Sequence, residues 1–105
     1  MKRLPDTFAA LGDPTRLAIV ERLLDEGALS VGDLQDVAEI SAPAISRHLK
    51  VLREAGILRR EIDGQRRIYS VNPATVKAIH SWTESHEAFW RGALDRLASA
   101  LEEET

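Results

Sequence analysis

The fold depends most on residues 41–56, SAPAISRHLKVLREAG, whose pattern is that of one helix with a marked start and end. Ser41 can accept a hydrogen bond from a free N–H group of the first turn, and Pro43 is tolerated there because its missing N–H would have no partner. Gly56 can adopt the left-handed conformation that ends a helix. The apolar residues between them recur at helical spacing and predict one buried side. They are Ile45, Leu49 and Leu52.

The other side of this helix is polar and carries Arg47 and Lys50, with Ser46 beside them. Small residues at the helix start would let the backbone approach a DNA major groove, while Arg and Ser reach base edges and Lys reaches a phosphate. An ordinary amphipathic helix with a solvated outer side would show the same pattern, so this helix alone leaves both interpretations open. The residues of the helix predicted to contact DNA are Ser41, Ala42, Pro43, Ala44, Ser46, Arg47 and Lys50.

A shorter helix is predicted directly before this one. Ser30 and Asp33 have the spacing of a capping box, in which each side chain bonds the other's backbone N–H, and Glu39-Ile40 would link the two helices. Two short helices joined by a tight turn, the second basic on its outer side, predict a helix-turn-helix over residues 30–56. The turn lacks the glycine that is often found there.

After Gly56 the pattern changes from helix to hairpin. Residues 57–62 and 67–71 are rich in β-branched residues and predict two strands, and Asp63-Gly64 is a strong hairpin signal. A two-stranded ribbon after a helix-turn-helix predicts a wing over residues 57–71, able to lie along the minor groove or backbone of DNA. The tip of this wing, also predicted to contact DNA, carries Gln65, Arg66 and Arg67.

Two helices are predicted ahead of the helix-turn-helix. Residues 1–12 carry a weak helical stripe, and Asp13-Pro14 supplies the N-cap and first residue of a helix that runs to about Glu26. This second helix is apolar on more than one side, so we expect it to be buried scaffold. Its apolar residues are Leu17, Ile19, Val20, Leu23 and Leu24.

A last helix is predicted over residues 73–103, with an apolar side too long for one domain of this size to cover. Both tryptophans of the chain lie on it. We interpret this side, together with the stripe in residues 1–12, as half of a dimer interface; an aromatic ligand pocket is the alternative. The predicted interface residues are Leu4, Phe8, Leu11, Trp82, His86, Phe89, Trp90, Ala93, Leu94, Leu97 and Leu101.

The composition is that of a globular protein with a single domain, residues 1–105, since 44% of the residues are hydrophobic and 30% are charged. The chain has no cysteine, which excludes disulfides and thiolate metal sites. No apolar run could span a bilayer, and the start MKRLPDTF lacks the apolar segment of a signal peptide. We therefore expect a cytoplasmic protein with no membrane partner.

Charge is unevenly distributed along the chain. The net charge of −3 at first disfavours a nucleic-acid partner, but residues 41–67 hold seven basic and three acidic residues, a net +4 that leaves −7 elsewhere. Binding responds to the local potential of the approaching face, so the basic segment favours DNA more than the total opposes it. Because charged stretches are also common on solvated surfaces, charge alone does not decide the function.

Together these stretches resemble the ArsR (arsenic-repressor-like) family of bacterial winged helix-turn-helix regulators. The resemblance covers nearly the whole chain and is carried by ALGDPTRL (10–17), SAPAISRHLKVL (41–52), AGIL (55–58) and DGQRRIY (63–69). It implies a mainly α (α+β) winged helix-turn-helix fold of order α-α-α-α-β-β-α. It also implies a homodimer formed by the terminal helices, which represses transcription from double-stranded operator DNA.

The metal sites that the family is known for are missing from the sequence. Members that sense arsenic or cadmium carry a Cys-x-Cys pair where this chain has Ser30 and Gly32. Zinc sensors carry two histidines eleven residues apart on the last helix, and here no histidine lies eleven residues after another. His80, Glu84 and Glu87 share one helical side, but a salt-bridged surface histidine is the simpler interpretation. We therefore predict no metal and no cofactor.

Two classes of function remain. The leading one is a sequence-specific DNA-binding regulator, a homodimeric repressor without the metal sensor of the family. The alternative is a protein-interaction module that uses a winged helix fold without specific DNA binding, and the basic outer side favours DNA over this. An enzyme is not expected, because the chain has no cysteine nucleophile, no glycine-rich phosphate loop and no histidine paired with a suitable serine and aspartate.

Overall fold

The computed structural model describes residues 4–103 and folds them into five α-helices, one 3-10 turn and a three-stranded antiparallel sheet. This mainly α arrangement, with a hairpin ahead of the last helical region, confirms the predicted fold class. None of the helices in the described part of the chain is long and apolar enough to cross a membrane. The helices are α1 (Leu4–Leu11), α2 (Pro14–Glu26), α3 (Ala42–Glu54), α4 (Pro73–Ser85) and α5 (Glu87–Glu103), and the strands are β1 (Leu29–Ser30), β2 (Leu58–Asp63) and β3 (Arg66–Val71).

The predicted caps of α2 and α3 are confirmed. The side chains of Asp13 and Ser41 each accept a hydrogen bond from the backbone N–H three residues on, at 3.0 Å and 3.3 Å. Beyond the end of α3, Gly56 has a φ of 82°, which a residue with a Cβ would adopt only under strain. There the Ile57 N–H donates to the Leu52 carbonyl at 3.0 Å and closes a Schellman motif. Local sequence therefore fixes both ends of α3.

The core lies between α2, α3 and the sheet, and all three residues predicted on the inner side of α3 are fully buried. On α2, however, Leu17 and Leu24 are 42% and 56% exposed, although both were predicted to be buried. They lie together at one edge of the apolar arc, and the neighbouring elements cover only its centre. The buried apolar residues are Ala10, Ile19, Val20, Leu23, Leu34, Ile45, Leu49, Leu52, Ile57, Leu58 and Tyr69.

The wing is a regular hairpin in which β2 and β3 pair from Leu58 opposite Val71 to Asp63 opposite Arg66. The strands run closer to the turn than predicted, so the connection is only Gly64-Gln65, and Gly64 has the positive φ, 63°, that such a turn requires. The sequence did not predict β1, which pairs with the other edge of β3 and gives the order β1-β3-β2. With two residues, β1 is too short to show an alternating pattern.

The helix predicted from Ser30 is not an α-helix. Its capping box forms, since the Ser30 N–H donates to the Asp33 carboxylate at 3.1 Å and the Asp33 N–H donates to the Ser30 hydroxyl at 3.2 Å. The chain then makes turns and the 3-10 helix Gln35–Val37. Residues 31–37 include a glycine, two aspartates and two valines, all poor helix formers, and Leu34 is the only one of them that is fully buried. Little therefore favours a full α-helix here.

The helix predicted over residues 73–103 is interrupted at His86 and forms α4 and α5. Just before the interruption, the hydroxyls of Thr83 and Ser85 donate to the carbonyls four residues earlier, at 3.0 Å and 2.7 Å. The Nδ1 atom of His86 donates to the Trp82 carbonyl at 2.8 Å, since a carbonyl can only accept. Such bonds compete with the main-chain ladder and can bend or interrupt a helix.

Candidate nucleic-acid interface

The predicted DNA-contacting side of α3 faces solvent. Because the inner residues of α3 are fully buried, the residues between them must project outward. Of the seven residues predicted on this side, Ala44 is half-buried and the other six are exposed. The exposed ones are Ser41, Ala42, Pro43, Ser46, Arg47 and Lys50.

The outer side of α3 meets one face of the wing in a groove of about 380 Å³. Alternate residues of a strand share a face, so Arg60 lies on the same face of the wing as the buried Leu58. Strand pairing puts Tyr69 opposite Arg60, and Arg67 opposite Ile62, on that same inner face. We call this site the basic groove; it is lined by Val31, Ser46, Arg47, Lys50, Arg53, Arg60, Arg67 and Tyr69.

Two basic residues that line the groove, Arg53 and Arg60, were not predicted as DNA contacts from the sequence. Both are half-buried, one near the end of α3 and the other within β2 rather than at the tip of the wing. The spacing of these residues in the sequence could have revealed both of them. Arg53 follows Lys50 by three residues and so shares its side of the helix, and Arg60 follows Leu58 by two and so shares its face of the strand.

The two arginines at the tip of the wing lie on opposite faces of the hairpin, although the sequence suggested one role for both. Arg67 lines the basic groove, whereas an Nη atom of Arg66 lies 4.0 Å from the Asp33 carboxylate. The pKa of Asp33 is lowered chiefly by hydrogen bonds from Ser30, and further by the charges of Arg66 and Arg22. Arg66 is therefore partly neutralised on a different side of the wing.

The basic groove holds five cations and little negative charge. Within residues 4–103, the only carboxylate within 4.0 Å of any of them is that of Glu54, at 4.0 Å from Lys50. Exposed pairs of this kind contribute little energy. The remaining charge creates a positive potential that a polyanion would relieve. The five cations are Arg47, Lys50, Arg53, Arg60 and Arg67.

A polar cluster holds α3 against α1 and α2. The Arg16 side chain donates through Nε to the Ala10 carbonyl in α1 at 2.6 Å, and through Nη1 to His48 Nδ1 in α3 at 3.3 Å. The pKa of Asp13 is lowered, mainly because its carboxylate accepts the Arg16 backbone N–H. Arg16 thus links α3 to α1.

The predicted dimer residues form a surface that one copy of the chain leaves uncovered. Neither α4 nor α5 has a buried residue, and Phe89, Leu94, Leu97 and Leu101 are each at least 56% exposed. Phe8 and both tryptophans are less exposed but still open, His86 is exposed, and Leu4, Leu11 and Ala93 are half-buried. We call this set of eleven residues the apolar partner surface.

The apolar partner surface is continuous from α1 into α4. The rings of Phe8 and Trp82 meet edge to face with centroids 5.5 Å apart, and His86 lies 4.8 Å beyond Trp82. The radius of gyration is 17.6 Å, against about 13 Å for a compact chain of this length. The longest dimension is 60 Å. The last helices therefore extend away from the core instead of folding back onto it.

A cavity of about 450 Å³ lies between α1, the end of α3 and the start of α4. The three aromatic residues Trp82, Phe89 and Trp90 do not line it, so the aromatic stripe is a surface feature rather than part of this cavity. The lining residues are Leu4, Thr7, Ala55, Gly56, Asn72, Ala74, Thr75 and Ala78.

Polar residues of α4 and α5 pair with one another along the helix surface. His80 Nε2 lies 2.9 Å from the Glu84 carboxylate, and Glu87 pairs with Arg91 at 2.5 Å. Three of these residues are those considered above as a metal cluster. In the part of the chain that the structure describes, no group of three or more histidine, cysteine or acidic side chains is placed to hold a metal ion.

Comparison with known proteins identifies relatives over nearly the whole chain. The family described as "Helix-turn-helix domain" matches residues 11–61. The HTH-type transcriptional regulator Rv2034 of Mycobacterium tuberculosis is 40% identical, over 97% of this chain and 92% of its own. The transcriptional repressor SdpR of Bacillus subtilis is 35% identical, over 73% of this chain and 84% of its own.

A capped helix with a basic outer side, next to a basic β-hairpin, defines a winged helix-turn-helix DNA-binding protein. A crystal structure of an ArsR family transcriptional regulator, RHA00566, superimposes with a TM-score of 0.75 at 27% identity, covering 84% of this chain and 96% of that one. The chain belongs to the ArsR family. It is a DNA-binding transcriptional regulator and not an enzyme.

Proposed function

We propose that this regulator is a homodimeric repressor that binds an inverted-repeat operator and acts in the cytoplasm, where such DNA lies. The observation that supports the dimer most is the apolar partner surface. Large exposed apolar patches are rare on monomers and mark sites of association. A second copy of the chain is the simplest partner, because a symmetric dimer covers the same surface on both copies.

Dimerisation through this surface would also suit DNA binding. A two-fold axis relates two copies of α3, so the paired recognition helices would read two half-sites of opposite orientation. Such half-sites lie about one helical turn apart, roughly 34 Å, or a multiple of that. Residues 1–3 and 104–105 lie outside the described part of the chain, and the proposal does not depend on them.

Within each half-site, α3 is assigned to the major groove. Arg47 is exposed on its outer side and is our candidate for reading a base edge, most often guanine, with Ser46 beside it. Lys50 is assigned to a phosphate. The small residues at the helix start, Ser41, Ala42, Pro43 and Ala44, would allow the backbone to come close to the DNA.

The wing is assigned to the DNA backbone or the adjacent minor groove. The exposure of Gln65 in the turn and the position of Arg67 in the basic groove support this assignment. We leave Arg66, which the sequence suggested as a contact, out of this assignment, because its guanidinium is near Asp33 on the other face of the hairpin. Binding should fall steeply with salt, as expected when cations replace the counterions of DNA.

We further propose that this regulator lacks the metal sensor of its family. Ser30 and Gly32 occupy the positions of the thiolate pair, and His80 is engaged by Glu84. Zinc, cadmium and arsenite at micromolar concentration should therefore leave operator affinity unchanged. Release of the operator at stoichiometric metal would contradict this.

The experiment that tests the function is selection of bound sequences from a random duplex pool, followed by titration of the selected DNA. We expect enrichment of an inverted repeat with half-sites about one turn apart. In the same titration, Arg47→Ala should lose about 1–3 kcal/mol on the selected sequence and little on random DNA. Arg59→Ala is the control, because Arg59 is an exposed arginine on the outer face of β2.

Two results would contradict the proposal. Failure to enrich any sequence, with binding insensitive to salt, would favour the alternative of a protein-interaction module. Equal losses for Arg47→Ala on selected and random DNA would leave Arg47 as a phosphate contact and remove it from specificity.

A further inference from the structure

We infer that the half-buried arginines of the basic groove, Arg53 and Arg60, form with Arg67 a seat for the DNA backbone between the recognition helix and the wing. The ligand is a phosphodiester, held without regard to base sequence. This inference rests on the proposed function, because it adds a phosphate site to the same DNA-binding face. It also implies that the face of the hairpin on which an arginine lies, and not its distance from the tip, decides whether that arginine contacts DNA.

The position of Arg53 on α3 favours a phosphate rather than a base. In helix-turn-helix proteins, residues near the start of the recognition helix contact base edges. Arg53 lies at the other end, in the last turn of α3, where a helix held by its N-terminus in the major groove leads back toward the backbone. Lys50, one turn earlier, is assigned to one phosphate. Arg53 would then contact a second phosphate along the same DNA strand.

Strand alternation explains the part played by the wing. Arg60 and Arg67 lie on the inner face of the hairpin, and both line the basic groove with Arg53. Their neighbours in sequence, Arg59 and Arg66, lie on the outer face. Adjacent arginines of the same strand are thus placed on opposite sides of the wing, and only one of each pair can reach a backbone in the groove.

Burial and charge make this a better phosphate site than an exposed patch. Arg53 and Arg60 are half-buried and both line the groove, as expected of arginines whose aliphatic stems pack while their charged ends stay in solvent. A guanidinium offers a rigid fork of donors that matches phosphate oxygens. Within residues 4–103, neither has a carboxylate within 4.0 Å, so no internal ion pair must be broken when phosphate binds.

The test compares two matched pairs of variants for binding to a random duplex over a series of salt concentrations. Arg60→Gln is compared with Arg59→Gln, and Arg67→Gln with Arg66→Gln. Each groove variant should lower the slope of log affinity against log salt by about 0.9, the value of one lost phosphate contact. Each outer-face variant should leave the slope at the wild-type value. Arg53→Gln is predicted to behave like Arg60→Gln.

A second measurement separates binding from folding. Arg60→Lys keeps the charge in the groove and should keep the slope, and the unfolding midpoint of every variant is compared with that of the wild type. Equal slopes for Arg59→Gln and Arg60→Gln, with salt-dependent binding by the wild type, would overturn the backbone seat and leave the proposed function standing. Wild-type binding that does not depend on salt would overturn both.

Discussion

The recognition helix α3 and the last helix α5 differ in how much of their apolar side is buried within one chain. α3 has 13 residues, of which Ile45, Leu49 and Leu52 are fully buried. α5 has 17 residues, and none of them is buried. The first helix is packed within its own chain, whereas the apolar side of the second is left uncovered by its own chain.

The difference extends to the ends of the helices and their surroundings. α3 begins at the Ser41 cap and ends at a Schellman motif. Near its middle, the His48 ring contacts the Arg16 side chain of α2. The contacts of α5 include ones within the helix itself, such as the Glu87–Arg91 pair and the Phe89–Trp90 ring contact. The helix that we propose to read DNA is thus capped and packed within one chain, whereas the helix that we propose to form the dimer is not.

The largest effect expected from this comparison concerns core and surface leucines. Leu49→Ala leaves a cavity in the core and should cost about 2–5 kcal/mol of unfolding free energy at any protein concentration. Leu97→Ala removes a side chain that is 56% exposed in one copy, so its cost should appear only where the dimer forms. Denaturant unfolding of both variants at low and high protein concentration measures the difference. A concentration-independent cost for Leu97→Ala would show that α5 is held within one chain.

A smaller effect is expected at the start of the recognition helix. Ser41→Ala removes the hydroxyl that accepts the Ala44 N–H at 3.3 Å and should cost about 1 kcal/mol. Ser41→Asp retains a capping side chain and should have the unfolding free energy of the wild type, although its negative charge would weaken DNA binding. If both variants unfold like the wild type, the cap does not stabilise α3 and packing alone holds the helix.

The smallest effect should appear as acid sensitivity near the polar cluster. The folded-state pKa of Asp13 is below its ordinary value, so this carboxylate contributes stability at neutral pH that is lost as the pH falls below about 4. Asp13→Asn keeps a capping side chain but cannot titrate. Between pH 7 and pH 3 it should lose less stability than the wild type, while Asp25→Asn, an exposed control on the same helix, should not. Equal losses for wild type and Asp13→Asn would remove Asp13 from the acid response.

The sequence predicted α3 and the hairpin well because their signals are local. A Ser-x-Pro start, a glycine end and a three-residue apolar side define α3, and Asp63-Gly64 marks the hairpin. The predictions were wrong where the local preference for helix was weak, or where other contacts of the chain decided the backbone conformation. The capping box at Ser30 formed without an α-helix, and side chains near His86 interrupted a helix whose apolar pattern continued through it.

The site was predicted only in part, for a related reason. Residues on the outer side of α3 follow from helical spacing alone, and six of the seven predicted there are exposed. That Arg53 and Arg60 line one groove could be seen only once the hairpin was placed against α3. That Arg66 and Arg67 lie on opposite faces of the hairpin depends on the strand register. Contacts with DNA and between copies of the chain remain predictions.

The central claim is that the apolar partner surface pairs two chains and that operator binding depends on this pairing. The most direct test is analytical sedimentation of the wild type and of Leu97→Asp without DNA, with an operator titration of the same samples. We predict a wild-type mass of twice 11.7 kDa, and for Leu97→Asp a folded species of 11.7 kDa whose operator binding has collapsed. A folded wild-type or variant monomer that binds the full operator with undiminished affinity would contradict the claim.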